Sequence, residues 1–234
     1  MLKNISSEMG TLLFEDLGTM DYKKAWDYQE QLFSDLIKIK TEEEEKAPFG
    51  TLLFVEHPHV FTLGKSGTPE NLLVNEEVLR TKGASFYRIN RGGDITYHGP
   101  GQLVGYPILN LDAFHIGVRE YVFRLEESVI QCLLNYNIKA ERLEGASGVW
   151  LDAGIREKSR KICAIGVRAS KGVTMHGFAF NVNTDLSFYQ LINPCGFTDR
   201  GVTSLKKELG SEIDMDRLKQ HLLQSFKEVF ELMA

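Results

Sequence analysis

A cysteine held between a proline and a glycine, Pro194-Cys195-Gly196, is the strongest candidate nucleophile in this chain. It sits in the run Ile192-Asn-Pro-Cys-Gly-Phe197, which reads as a loop, where binding and catalytic residues concentrate. Cys132 and Cys163 instead fall in apolar periodic segments of the kind that bury inert thiols. An unaided thiol is only a few per cent thiolate at neutral pH, and a nearby cation raises that fraction. Lys161, in Ser159-Arg-Lys-Ile-Cys-Ala-Ile-Gly166, is the leading candidate for that cation. It enters an apolar strand, where partial burial would lower its pKa and let it exchange protons with a thiol or an incoming amine. The two-residue period of a strand puts Cys163 on the face of Lys161 and makes it a competitor. Read from the residues alone, Cys195 is equally an inert loop thiol, and Lys161 a surface lysine at a strand start.

Residues 91–107 read Arg-Gly-Gly-Asp-Ile-Thr-Tyr-His-Gly-Pro-Gly-Gln-Leu-Val-Gly-Tyr-Pro. Five glycines are costly in backbone entropy, and a plain hairpin needs one or two. The remaining reason is a backbone that lies directly against a ligand. Nucleotide-loop readings fail here. Gly99–Gly105 has one residue too many before its last glycine, and Pro107 blocks the helix that should follow. Gly64-Lys65-Ser66 lacks the required earlier glycine, a position taken by His59. His57 and His59 flank Pro58 in a turn, and a metal role for them is set aside, as no metal-ligand spacing accompanies them. His98 and His176 each precede a glycine and could bind substrate or satisfy a turn carbonyl.

These residues must be positioned by an ordered set of elements. Thr11–Leu17 reads as a strand and Asp21–Lys40 as an amphipathic helix with Asp21 as its N-cap. Thr41–Pro48, with four consecutive glutamates, reads as a solvated connector. Strands follow at Thr51–His57, Val60–Leu63, Ser85–Asn90, Ile95–His98 and Leu103–Leu109, then a helix from Gly117 to Asn135. Gly148–Leu151, Lys161–Ala169 and Val173–Val182 read as strands, the last two as a hairpin through Ser170-Lys171-Gly172. Asp214–Leu232 closes the chain as an amphipathic helix. The expected class is α/β (α+β): a mixed, largely antiparallel sheet with packed helices. It forms a single catalytic domain over 1–234, with a core at about 11–200 and the 214–232 helix packed on it.

Composition bounds the rest. Apolar residues at 43% and charged residues at 25% suit a soluble globular protein. There is no membrane-length apolar run and no signal-peptide pattern at the N-terminus. Three widely spaced cysteines suit a reducing compartment, so the expectation is cytoplasmic. A net charge of −5 argues against nucleic acid. Within that acidic total, 156–171 holds six basic residues against Glu157, which reads as a solvated loop or as a docking patch for an acidic partner. The helices look internally satisfied, which makes a monomer the default.

Taken together, these motifs resemble the lipoyl(octanoyl) transferase family. Arg91–His98 followed by Gly99–Pro107 is similar to that family's signature almost residue for residue. Lys161-x-x-Ala-Ile-Gly166, His176-Gly-Phe-Ala179 and Pro194-Cys195-Gly196 match its later motifs in order, and His57-Pro-x-Val-Phe-Thr-Leu-Gly64 an earlier one. The resemblance runs over about 51–200 and fades across Met1–Lys46 and the C-terminal helix.

The resemblance implies a biotin/lipoate protein ligase-like fold. It also implies an acyltransferase that moves an octanoyl (or lipoyl) group from acyl carrier protein to a lysine of lipoyl domains, in lipoate biosynthesis. It makes Cys195 the acyl-thioester nucleophile and Lys161 the residue that lowers its pKa and moves protons. It makes Arg91, Gly92, Gly93, Asp94, Ile95, Thr96, Tyr97 and His98 line the substrate site, with Ala164, Ile165, Gly166, Gly177, Phe178 and Ala179. Cys163 falls where the family motif is variable and is demoted. The implied partners are octanoyl-acyl carrier protein, the lipoyl domains of 2-oxoacid dehydrogenases and the glycine cleavage H protein. Thioester exchange is nearly thermoneutral, so no cofactor or metal is implied. Burying a C8 chain would contribute about 5 kcal/mol, at roughly 0.8 kcal/mol per methylene. The competing readings are an ATP-dependent lipoate or biotin ligase of the same fold, and a non-catalytic acyl-carrier-binding module.

Overall fold

The computed structural model describes residues 3–7, 10–42, 47–193 and 200–232. In chain order the strands are β1 (Lys3–Ser7), β2 (Gly10–Thr19), β3 (Gly50–Glu56), β4 (Val60–Leu63), β5 (Ser85–Arg88), β6 (Ile95–His98), β7 (Gln102–Leu109), β8 (Glu141–Leu143), β9 (Ala146–Leu151), β10 (Arg160–Ser170), β11 (Val173–Asn181) and β12 (Gly201–Val202). The helices are α1 (Tyr22–Glu42), α2 (Glu76–Thr81), α3 (Val118–Leu134), α4 (Leu205–Leu209) and α5 (Met215–Val229).

The large sheet runs β1-β2-β3-β7-β11-β10-β9-β8, with β12 added to β10. Only the β2–β3 and β10–β12 pairs in it are parallel. A small sheet, β5-β4-β6, stands apart from it. The expectation of a mixed, largely antiparallel sheet with packed helices holds.

Helices cover both faces of the large sheet, which is why every residue of β7 and β11 is buried. Leu125, Val129 and Cys132 of α3 and Leu218, Leu222 and Phe226 of α5 pack one face over Phe54, Phe178 and Cys163. On the other face α1 lays Ala25, Phe33 and Leu36 over Val104, Tyr106, Ile108 and Ala179. The spacing of its buried residues, Tyr22, Ala25, Gln29, Phe33 and Leu36, is the helical stripe that the sequence shows. Asp21 caps the helix by accepting from the Lys24 amide at 3.1 Å. Asp214 does the same for α5 through the Asp216 and Arg217 amides.

Some elements lie outside the sequence reading. Helix α1 continues to Glu42, into the expected connector, whose residues 43–46 are outside the described part. Helix α2 is only six residues long, so it carries no usable periodicity, and Asn75 caps it by accepting from the Val78 amide. Strand β1 pairs back on β2 as a hairpin. Among the described residues no helix is long and apolar enough to cross a membrane.

Candidate active site

A cavity of about 310 Å³ lies between the α1-side face of the large sheet and the small sheet. Strand β10 contributes Lys161, Ala164 and Gly166, and β11 contributes Gly177 and Ala179. Arg91, Gly93, Asp94, Ile95, Thr96 and His98 roof it from the glycine-rich segment and β6. Ile165 and Phe178 complete the predicted residues found there. Two predicted residues are not on the cavity wall. Gly92 instead donates its amide to the Val167 carbonyl at 2.9 Å, tying the segment to β10. Tyr97 points away, hydrogen-bonded to His59 Nδ1 at 2.7 Å and stacked on Phe188 at 4.9 Å. Cys195 lies in 194–199, outside the described residues.

Glycine is required where backbones and side chains cross. A Cβ on Gly166 would sit 2.9 Å from the Gly92 carbonyl oxygen and 3.0 Å from Arg91 Cδ. Gly148 has φ +115°, and a Cβ there would meet the Cys163 carbonyl oxygen at 2.5 Å. That close approach lets β9 seat beside Lys161, whose ammonium stands 4.6 Å from the Trp150 ring centroid. Arg200 shares this end of the cavity, donating to Ser159 Oγ at 2.8 Å.

Cys163 and Lys161 do not share a face, contrary to the two-residue expectation. The β9 pairing shifts register between Lys161 and Cys163, and this bulge inserts an extra residue that re-aims the strand. Lys161 goes into the cavity, while Ile162 and Cys163 both enter the core under α3 and α5. Burial pushes the Cys163 thiol well above its ordinary pKa, with Lys161 pulling weakly the other way.

The polar side of the cavity is buried rather than a solvent rim. Arg91 is 8% exposed and donates to the Thr62 carbonyl at 2.7 Å, Thr62 Oγ1 at 3.0 Å and the Gly92 carbonyl at 3.0 Å. His98 donates Nδ1–H to Gln102 Oε1 at 2.8 Å, because the Gln102 amide is already donating to the Tyr97 carbonyl and to Asn181. His176 donates Nε2–H to Asn90 Oδ1 at 2.7 Å. Burial, then the neighbouring His57 charge, lowers the His98 pKa to about 3, and burial with the Arg91 charge lowers His176 to about 3. Both are neutral at neutral pH, so they orient groups by hydrogen bonding and carry no charge.

His57 is a structural residue. It donates Nδ1–H to the Met20 carbonyl at 2.7 Å and accepts from the Tyr106 hydroxyl at 2.8 Å, and burial lowers it to about 4. Two arginines of the basic stretch 156–171 are neutralised by acids distant in the chain. Arg160 makes a two-pronged pair with Glu208 at 2.7 and 2.6 Å, and Arg168 pairs with Glu30 at 3.1 Å.

Sequence reasoning missed Tyr22, Val104, Tyr106, Trp150, Asn181 and Arg200 on the cavity wall. Val104 and Tyr106 lie inside the glycine-rich segment, where their two-residue alternation predicts a strand and says nothing of a cavity. Tyr22 was legible as part of the α1 stripe but not as facing a cavity.

Residues 21–227 match the Lipoyl protein ligase A/B catalytic domain. The chain belongs to that family. Within it, the chain is similar to octanoyltransferases: it is 55% identical to the one from Christiangramia forsetii, over 92% of this chain and 94% of that protein. It is 54% identical to the one from Flavobacterium johnsoniae, over 93% and 95%. Among solved structures it resembles lipoate-protein ligase A bound with ATP, with a TM-score of 0.69 at 17% identity, over 93% of this chain and 85% of that one. That likeness concerns the fold.

Proposed function

We propose that this chain, an enzyme of octanoyl transfer in protein lipoylation, works through a thioester on Cys195. The donor is octanoyl-acyl carrier protein, and the acceptors are lysines on the lipoyl domains of 2-oxoacid dehydrogenases and on the glycine cleavage H protein. It acts as a single catalytic domain over 1–234, in the cytoplasm.

The carrying observation is that the described chain on both sides of 194–199 is tied to the cavity. Asn193 donates its amide to the Asn71 carbonyl at 2.8 Å, and the Asn71 side chain donates to Asp94 on the cavity wall. On the other side, Gly201 and Val202 pair with Arg160 and Lys161.

In the first half-reaction the Cys195 thiolate attacks the octanoyl thioester carbonyl. A new carbon–sulfur bond forms, the carrier's carbon–sulfur bond breaks, and the Lys161 ammonium protonates the departing thiolate. In the second, the acceptor lysine amine attacks the enzyme thioester. An amide forms, the amine's proton passes to Lys161, and the Cys195 thiolate is restored. The Lys161 ammonium supplies the positive charge that favours the thiolate. Replacing Cys195 with Ser tests the reading: transfer should be lost while the donor still binds, and undiminished transfer would overturn it.

A further inference from the structure

We propose that the β7 residues Val104 and Tyr106, with Tyr22 of α1, form an end wall that sets the length of acyl chain this enzyme accepts. This rests on the acyl-transfer reading above and names what selects the substrate at that site.

The floor of the cavity is graded. Ala164 pairs with Ala179, and Ala179 pairs with Val104, so the three form one row across β10, β11 and β7. All three line the cavity. Alanine on β10 and β11 gives way to valine on β7, so the row stands higher at its β7 end. Gly166, two residues from Ala164, keeps the β10 side low, while Tyr106, two residues from Val104, raises the β7 side.

The wall is also stiff. Tyr106 is 3% exposed and its hydroxyl is engaged by His57 at 2.8 Å, so its ring is held in place. Tyr22 is 3% exposed, stacked on His98 at 5.8 Å and on Tyr87 at 5.5 Å, and edge-on to His57 at 5.2 Å. Rings braced from several sides cannot yield cheaply to a longer chain, because overpacking a close-packed site forces side chains off their rotamers.

The dimensions agree. Two strand spacings from β10 to β7 measure about 10 Å. An extended octanoyl group is about 9 Å from carbonyl carbon to methyl, with carbon–carbon bonds near 1.5 Å. A chain that crosses the row from the Lys161 side therefore ends against Val104, Tyr106 and Tyr22. Two further methylenes would have to displace them.

The test is a competition. The enzyme is given an equimolar mixture of C6, C8, C10 and C12 acyl thioesters of acyl carrier protein with a lipoyl-domain acceptor. The acyl forms of both proteins are then weighed by intact mass. The ratio of products is read from folded, active molecules only, so a variant with reduced yield still reports. Val104→Ala and Tyr22→Leu should each raise C10 relative to C8 about tenfold, the value of roughly two buried methylenes. Ala164→Val, at the opposite end of the row, should move the preference to C6. Unchanged C10-to-C8 ratios in Val104→Ala and Tyr22→Leu would overturn the wall. Enzyme mixed with the same donors before any acceptor is added is weighed separately: no acylated enzyme in that sample would instead overturn the thioester reading, and the acceptor masses would still decide the wall.

Discussion

Acidification should destabilise this protein through three buried histidines. His98 and His176 are held near 3 and His57 near 4, while an unfolded histidine titrates near 6.5. Their folded values lie below the unfolded one, so the unfolded chain binds more protons as pH falls from 6.5. The stability they provide is complete above that value and is lost towards their folded values. Between pH 6.5 and 5.5 each loses about 1 kcal/mol, or about 3 kcal/mol for the three. For a chain of this size that lowers the melting temperature by roughly 6–12 °C. The carboxylates of Glu127, Glu208 and Asp185 are held below their ordinary values and act at lower pH, outside this interval. Glu126, raised mainly by burial, works in the opposite sense as pH falls through its folded value, while the partly exposed His59, lowered by burial, adds to the direction of the other three. Thermal unfolding followed by circular dichroism at the two pH values, for the wild type and His176→Asn, measures the effect. Asparagine tolerates the left-handed backbone of position 176, where φ is +59°, so the substitution isolates the titration. The variant should keep about two thirds of the drop. A wild-type melting temperature that moves by less than about 2 °C, or a full drop in the variant, would refute the account of these histidines.

Two further outcomes concern the site. Gly166→Val places its first carbon 2.9 Å from the Gly92 carbonyl oxygen and 3.0 Å from Arg91 Cδ, so acyl transfer should fall at least a hundredfold with the circular dichroism spectrum retained; transfer within a few-fold of wild type would show that the cavity is not used. Lys161→Met should slow iodoacetamide labelling of Cys195 at pH 7 about tenfold and shift its pH profile upward, whereas an unchanged profile would remove Lys161 from thiolate stabilisation.

How much was legible in the sequence differs by element. The α1 and α5 stripes and the Asp21 cap are local signals, and the structure keeps them; it adds a cap at Asp214. The glycine-rich segment was legible as a close-approach surface because the cost of its glycines demanded one, and Gly166 shows the same logic across the cavity. The faces of Lys161 and Cys163 were not legible. A bulge arises from pairing with β9, which no window of sequence around β10 contains. The same holds for the split between two sheets, and for Tyr22, whose place on the cavity depends on where β6 and β7 carry His98 and Tyr106. Arg160 and Arg168 looked like a patch in one dimension, but their partners Glu208 and Glu30 are distant in the chain.

Intact-mass measurement of the full chain, after incubation with octanoyl-acyl carrier protein and no ATP, decides whether acyl transfer runs through Cys195. One octanoyl adduct is expected, mapped to Cys195 by peptide sequencing and discharged when a lipoyl domain is added. Absence of that adduct, together with transfer that depends strictly on ATP, would contradict that route.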